Sequence, residues 1–123
     1  MIKIIAEIGF NHEGDLKLAI EMIKAAAKAG THAIKFQTYR AADLALPSAP
    51  HYQAIHGGEM NLRHHLELAK AAHDCGVEFL STPFSPWAID ILEKVGVPAY
   101  KVASMDCTNK YILGFIAETK KPI

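Results

Sequence analysis

Lys35 and Gln37 stand two residues apart inside AIKFQT (33–38), a short, mainly apolar and β-favouring run. Side chains alternate along a strand, so this spacing puts the amine and the amide on one face and Ile34 and Phe36 on the other. Other strand-like runs carry polar groups in corresponding places: Glu7 in IKIIAEIG (2–9), Ser81 and Thr82 in EFLSTPF (78–84), Lys101 and Ser104 in AYKVAS (99–104). A lysine in a dry interior must lose its charge or meet an anion, because an isolated buried charge is very costly. Two lysines with hydroxyl and amide donors therefore specify an anionic ligand held by charge-assisted hydrogen bonds. The same residues also permit a structural reading. Lys35 then pairs with Glu7, Lys101 reaches solvent along its stem, and the hydroxyls cap the helices that follow. Recurrence of the pattern on four strands tips the balance toward a ligand.

These side chains need a scaffold that brings strand ends together. Helical periodicity is clear over 15–30, where Lys17, Glu21, Lys24 and Lys28 share a polar face opposite Leu16, Ala19, Ile20 and Ile23, with Gly30 as a stop. Asn61 is placed to cap a helix over 62–75 ended by Gly76. Ser85 and Pro86 suit the N-cap and N1 positions of a helix to Val95, and a further helix is expected from Asn109 to Thr119. Strands are expected at 2–8, 33–38, 78–82 and 99–104, with KPI (121–123) opening a fifth. The stretch with Pro47, Pro50, Gly57 and Gly58 reads as a long connecting loop or lid.

Strand–helix units whose strands are apolar runs predict a parallel sheet covered by helices. An eight-fold barrel and an open doubly wound sheet both satisfy that pattern, but no GxGxxG follows the first strand. Barrels run to roughly 250 residues, so a chain of 123 residues corresponds to about the first four βα units of a (β/α)8 TIM-barrel type fold, a half-barrel in one domain over 1–123. In such folds sites are built at the carboxyl ends of the strands, where Glu7, Lys35, Gln37, Thr82, Lys101 and Ser104 fall.

Lys plus Arg and Asp plus Glu number 13 each, so no electrostatic field draws the chain to nucleic acid or an anionic membrane, and a small molecule is the expected partner. Cys75 and Cys107 lack metal-ligand or CxxC spacing and read as free, packing thiols in a cytoplasmic protein. No export signal or membrane-length apolar run is visible. Among the seven histidines, His51, His56, His64 and His65 read as ordinary loop or surface residues, since adjacent His64 and His65 diverge on a helix. Trp87 reads as core, and Gly57–Gly58 as a turn.

EIGFNHEGD (7–15), KFQT (35–38), FLSTPF (79–84), PAYKVAS (98–104) and KKPI (120–123) resemble, in order and at similar spacings, successive motifs of the N-acetylneuraminate (sialic acid) synthase family. The resemblance implies a (β/α)8 catalytic domain that condenses phosphoenolpyruvate with an N-acetylated amino sugar, N-acetylmannosamine or a relative, releasing phosphate and forming a nine-carbon 2-keto sugar acid. It further implies that Lys35 and Lys101 hold phosphoenolpyruvate, with Thr82 and Ser104 as hydroxyls of that pocket and Gln37 beside it. By the same resemblance Glu7 lies near the sugar and the reacting centre, and Asn11 and His12 belong to the loop after it.

Two departures follow. Met105 and Asp106 stand where many members have Gly-Glu, and the shorter carboxylate leaves the sugar open. The family's divalent metal, manganese or magnesium, is held by histidines of the second half-barrel, so its ligands are expected outside this chain and no metal site within it. A chain limited to the first half is not expected to complete the condensation by itself. Its open edges and apolar interior are expected to seek a second copy, as a homo-oligomer, or a complementary C-terminal half. Two other readings stay open: a non-catalytic half-barrel that binds a phosphorylated or carboxylate ligand, and another barrel enzyme using phosphoenolpyruvate or a phosphosugar.

Overall fold

The computed structural model describes residues 2–123. In chain order the elements are β1 (Ile5–Gly9), α1 (Leu16–Lys28), β2 (Ala33–Thr38), α2 (Ala41–Leu44), α3 (Tyr52–Gly57), α4 (Leu62–Asp74), β3 (Glu78–Pro83), α5 (Pro86–Val95), a 3-10 turn (Ser104–Asp106) and α6 (Lys110–Glu118). The strands form one parallel sheet in the order β1-β2-β3. Ile5 pairs with Ala33, Glu7 with Lys35, Ala33 with Glu78 and Gln37 with Thr82. Among the described residues no helix is long and apolar enough to cross a membrane.

Local chemistry explains the long helices. Asp15 caps α1 by accepting from the Lys17 and Leu18 amides, and Asn61 caps α4 through the His64 amide at 3.0 Å. Ser85 caps α5, Pro86 occupies its first turn, and Gly96 ends it in the left-handed region that only glycine enters cheaply. The apolar stripes of α1, α4 and α5 then cover one face of the sheet, where Ile23, Leu68 and Leu92 pack with Ile34, Phe36 and Phe79. Phe36 stacks on Phe79 with ring centroids 5.5 Å apart. The parity expected from AIKFQT therefore holds: Ile34 and Phe36 face the helices, and Lys35 faces away.

The fourth strand is a correction. Residues 99–103 form no strand, and the 3-10 turn replaces the expected strand end at Ser104. The segment's link to β3 is a single marginal bond from the Lys101 amide to the Ser81 carbonyl at 3.5 Å. Pro98, lacking an N–H, enters it, and the turn at Ser104 cuts it off before a ladder can form. The start of a fifth strand at 121–123 is also not formed, although the Pro122 carbonyl accepts from the Tyr100 amide at 2.9 Å. β1 begins at Ile5 rather than at residue 2, and β3 runs to Pro83. The connecting loop carries two short helices, α2 and α3, neither with a side-chain N-cap.

This lid is seated by a close backbone approach. Gly14 has φ +82, and a Cβ there would collide with the Gly57 carbonyl oxygen, so the β1–α1 turn and the end of α3 meet backbone to backbone. Gly14→Ala should therefore lose about 1–3 kcal/mol through strain and displacement. Gly114→Ala, in α6 with open space around its Cβ position, should gain up to about 1 kcal/mol. Urea unfolding of both variants is the measurement, and equal behaviour of the two would refute the packing argument.

Candidate functional site

Lys35 is 8% exposed, yet it keeps its partners within reach. Its Nζ lies 2.7 Å from Glu7 Oε2, directly across the β1–β2 ladder, and donates to Thr82 Oγ1 at 3.0 Å. A third contact, to the Phe36 carbonyl, is 3.5 Å long and weak. The Glu7 side chain is 53% exposed, so the pair spans from the interior to the solvent side of the sheet. A cavity of about 370 Å³ opens over this face, walled by Ile5, Glu7, Lys35, Leu80, Tyr100 and Lys101. A cleft of about 510 Å³ at the amino end of β3, lined in part by His73, Glu78 and Val97, lies away from these residues.

The predicted residues are only partly brought together. Glu7, Lys35 and Lys101 line one cavity, and Thr82 joins through Lys35. Lys101 is exposed, and its amine donates to the Val102 carbonyl at 2.7 Å instead of joining Thr82. Ser104 is exposed on the 3-10 turn, and Gln37 is half-buried at the carboxyl end of β2, opposite Thr82. Asn11 is exposed, with its amide on the Ile8 carbonyl at 2.8 Å. Asp106 is buried: one oxygen accepts from the Asn109 side chain at 2.9 Å, and Oδ2 has no partner. His12 is turned away from solvent. It packs on Phe36 at 5.7 Å and its Nδ1 accepts the Gly14 amide at 3.0 Å, so it braces the β1–α1 turn.

Tyr100 fastens the segment that carries Lys101. Its hydroxyl donates to Glu93 at 2.6 Å, and Lys121 reaches the same carboxylate oxygen at 2.6 Å. Burial works against the Glu93 charge, but these two donors outweigh it and hold the carboxyl below its usual range; burial and Glu93 push the Tyr100 phenol up. Trp87, expected in the core, is only half-buried and carries the Arg40 guanidinium 5.0 Å from its ring centroid. Cys75 is half-buried against the core, whereas Cys107 is exposed, and packing does not account for it.

A buried polar chain runs on the helix side of the same strands, and sequence reading did not find it. Ser81 Oγ lies 2.7 Å from Thr38 Oγ1, which lies 2.8 Å from His65 Nε2; His65 Nδ1 donates to the Asn61 carbonyl at 2.9 Å. All three side chains are buried. The Asn61 bond fixes the proton on Nδ1, so Nε2 accepts from Thr38, and Ser81 donates to Thr38. This chain ties α4 to the carboxyl ends of β2 and β3, one residue from Gln37 and Thr82. The available signal was the pair Ser81–Thr82, since adjacent strand hydroxyls must face opposite ways.

A lysine–carboxylate–hydroxyl cluster thus bridges the three strands of a parallel α/β unit. Comparison with known proteins makes the class specific. The NeuB family profile matches residues 22–123, and the chain belongs to that family. It is 37% identical over 134 residues to the N,N'-diacetyllegionaminic acid synthase of Legionella pneumophila, covering 98% of this chain and 38% of that protein. The structure of the N-acetylneuraminic acid (sialic acid) synthetase of Leptospira borgpetersenii superposes with a TM-score of 0.92 at 34% identity, over 96% of this chain and 41% of that one. A truncated 3-deoxy-D-arabino-heptulosonate 7-phosphate synthase of Thermotoga maritima shares the fold at TM-score 0.70 and 11% identity, over 98% of this chain and 38% of that chain. The chain thus spans about two-fifths of the length of these relatives.

Burial lowers the pKa of His65 and, with His64 nearby, that of His12, both below the ordinary value of 6.5. Above about pH 6.5 neither histidine is charged in the folded or the unfolded chain. Below it the unfolded chain takes up protons that the folded one resists, so stability falls as pH drops from 6.5 toward the folded values. The unfolding free energy should therefore decline on acidification, with a smaller slope in His65→Gln. Thr38→Val should cost about 1–3 kcal/mol by stranding Nε2 and the Ser81 hydroxyl. Denaturant titrations across pH check both, and an unchanged slope would remove His65 from the account.

Proposed function

We propose that residues 1–123 form the phosphoenolpyruvate-holding N-terminal half of a (β/α)8 barrel domain in a synthase. The enzyme condenses phosphoenolpyruvate with an N-acetylated amino sugar to give a nine-carbon 2-keto sugar acid and phosphate. The supporting observation is the buried Lys35 amine of β2 gripped by Glu7 and Thr82, in a chain of the NeuB family. An ammonium group has three donors, and here the third contact is long. That donor is available to an incoming carboxylate or phosphate.

In the reaction the methylene carbon of phosphoenolpyruvate bonds to the sugar aldehyde carbon, whose oxygen takes a proton; water adds to the phosphate-bearing carbon and gives up its protons as that carbon's bond to the phosphate oxygen breaks, so that phosphate leaves and the 2-keto group remains. In this reading Lys35 and Lys101 neutralise and position the anion, and Thr82 and Ser104 donate to its oxygens. Glu7, partly solvated beside Lys35, orients a sugar hydroxyl or moves the proton. Gln37, Asn11 and Asp106 serve the sugar, and His12 holds the turn that presents Asn11. Among the described residues no three His, Cys, Asp or Glu side chains converge as metal ligands. The divalent metal implied by the family resemblance therefore does not fit these residues, and no step here is routed through it.

The exposed Ile2, Ile4, Ile5 and Ile123 form apolar surface next to β1 and the Lys35 cavity, which supports a further stretch of polypeptide or a second copy covering them. Free thiols and a phosphorylated substrate support a cytoplasmic setting.

Lys35→Met and Lys101→Met in the complete gene product should each weaken phosphoenolpyruvate binding by about 1.5–3 kcal/mol, the scale of a charge-assisted contact. Calorimetric titration reads the effect. Unchanged affinity in both variants would leave Lys35 as a structural partner of Glu7 and overturn the assignment.

A further inference from the structure

The segment that carries Lys101 is secured from the helix side of the sheet. Tyr100 is 3% exposed and belongs to the core shared by Leu92, Val97, Ile112 and Ile116, whereas Lys101, the next residue, lines the cavity of Glu7 and Lys35. Two bonds set where Lys101 leaves the backbone: the Tyr100 hydroxyl on Glu93 of α5 at 2.6 Å, and the Tyr100 amide on the Pro122 carbonyl at 2.9 Å. Lys121 supplies the counter-charge, 2.6 Å from the Glu93 oxygen that also accepts from Tyr100. The turn delivering Lys121 and Pro122 is strained, because Lys120 is not a glycine and yet has φ +58, in the left-handed region. Such strain persists only where its surroundings over-determine it. Here the Thr119 hydroxyl donates to the Ile116 carbonyl at 2.7 Å and accepts the Lys121 amide at 3.3 Å, which fixes the turn.

Nothing around the Lys101 side chain aims it at a ligand: it is exposed, and its amine donates to the adjoining Val102 carbonyl at 2.7 Å. What the fold supplies is the place of its backbone. We propose that Tyr100 is a positioning residue for anion binding. With Glu93 as acceptor and Lys121 as counter-charge, it holds Lys101 where the amine can swing from the Val102 carbonyl to an anion resting on Lys35 and Thr82. A group already held where its ligand needs it binds more tightly than one that must first be brought to rest. The polypeptide after α6 thereby acts on the anion site without touching the ligand. The inference rests on Lys35, Lys101 and Thr82 being the phosphoenolpyruvate site.

The test is calorimetric titration of phosphoenolpyruvate into four forms of the complete gene product: wild type, Tyr100→Phe, Lys101→Met and the double variant. Phenylalanine keeps the ring in the core and leaves Glu93 paired with Lys121, so the hydroxyl's bond alone is removed. Tyr100→Phe should weaken binding by about 3- to 10-fold. The loss should shrink below about 2-fold when Lys101→Met is already present, because a residue that acts through Lys101 then has nothing to position. In turnover, Tyr100→Phe should raise KM for phosphoenolpyruvate and leave KM for the amino sugar unchanged. Glu93→Gln, which keeps an acceptor for the hydroxyl, should retain more affinity than Glu93→Leu. Unchanged affinity in Tyr100→Phe, or an equal loss with and without Lys101→Met, overturns the positioning role; if Lys101→Met is itself weakened, the anion site stands. Lys101→Met without effect, or no binding by the wild type, overturns the assignment of Lys101 and the positioning role together.

Discussion

Burying the charge of Lys35 is the constraint around which the rest of the sheet is arranged. The amine is met by Glu7 directly opposite on β1 and by Thr82 diagonally across on β3. Both contacts demand one register. A slip of a single residue would turn Lys35 toward Ile23 and Leu68 on the helix side, where nothing neutralises it. An ion pair with one buried member adds little net stability, but leaving the buried amine without its partner is expensive, so its effect is to exclude alternative pairings rather than to strengthen the chosen one. The irregularity after Glu7, which lets Gly9 instead of Ile8 pair with Phe36, ends the alignment just where the β1–α1 turn must depart.

The alternation of strand side chains then separates two polar systems that lie close in sequence. Thr82 faces the Lys35 side and accepts from its amine, whereas its neighbour Ser81 faces the helices and is consumed by Thr38 and His65. One system carries a charge beside an open cavity. The other is neutral and buried, and it fastens α4 to the strands that carry the first. A rigid support of this kind lets a site of few residues keep its geometry without bulk around it.

How much of this was legible from sequence follows the range of the interactions. The caps Asn61 and Ser85 and the stop Gly96 are local, and they appear where the residue types place them. The parity of Lys35 and Phe36 is also local, so the inner and outer faces of β2 could be read directly. The fourth strand failed because strand propensity in AYKVAS says nothing of whether a neighbour offers a continuous ladder, and only one marginal bond was available. Helices α2 and α3 have no side-chain N-cap and few residues, leaving little pattern to detect. His65 looks like a surface histidine in isolation, and His12 like a residue of the site loop; their burial involves Thr38 and Phe36, which are far away in the chain.

The irregular segment at 99–103 gives the two lysines unequal footing. Lys35 stands on the central strand of the sheet, laddered on both sides, while Lys101 rides on backbone held by the Tyr100–Glu93–Lys121 clasp, the Tyr100 amide hydrogen bond to Pro122 and one long bond to Ser81. The free energy needed to open that segment locally is accordingly lower than that of β2, since few backbone bonds break. Hydrogen exchange would therefore distinguish the two positions even though both lysines border the same cavity. An anion held between them would be gripped by one fixed and one adjustable hand, and its arrival would cost ordering entropy on the Lys101 side alone.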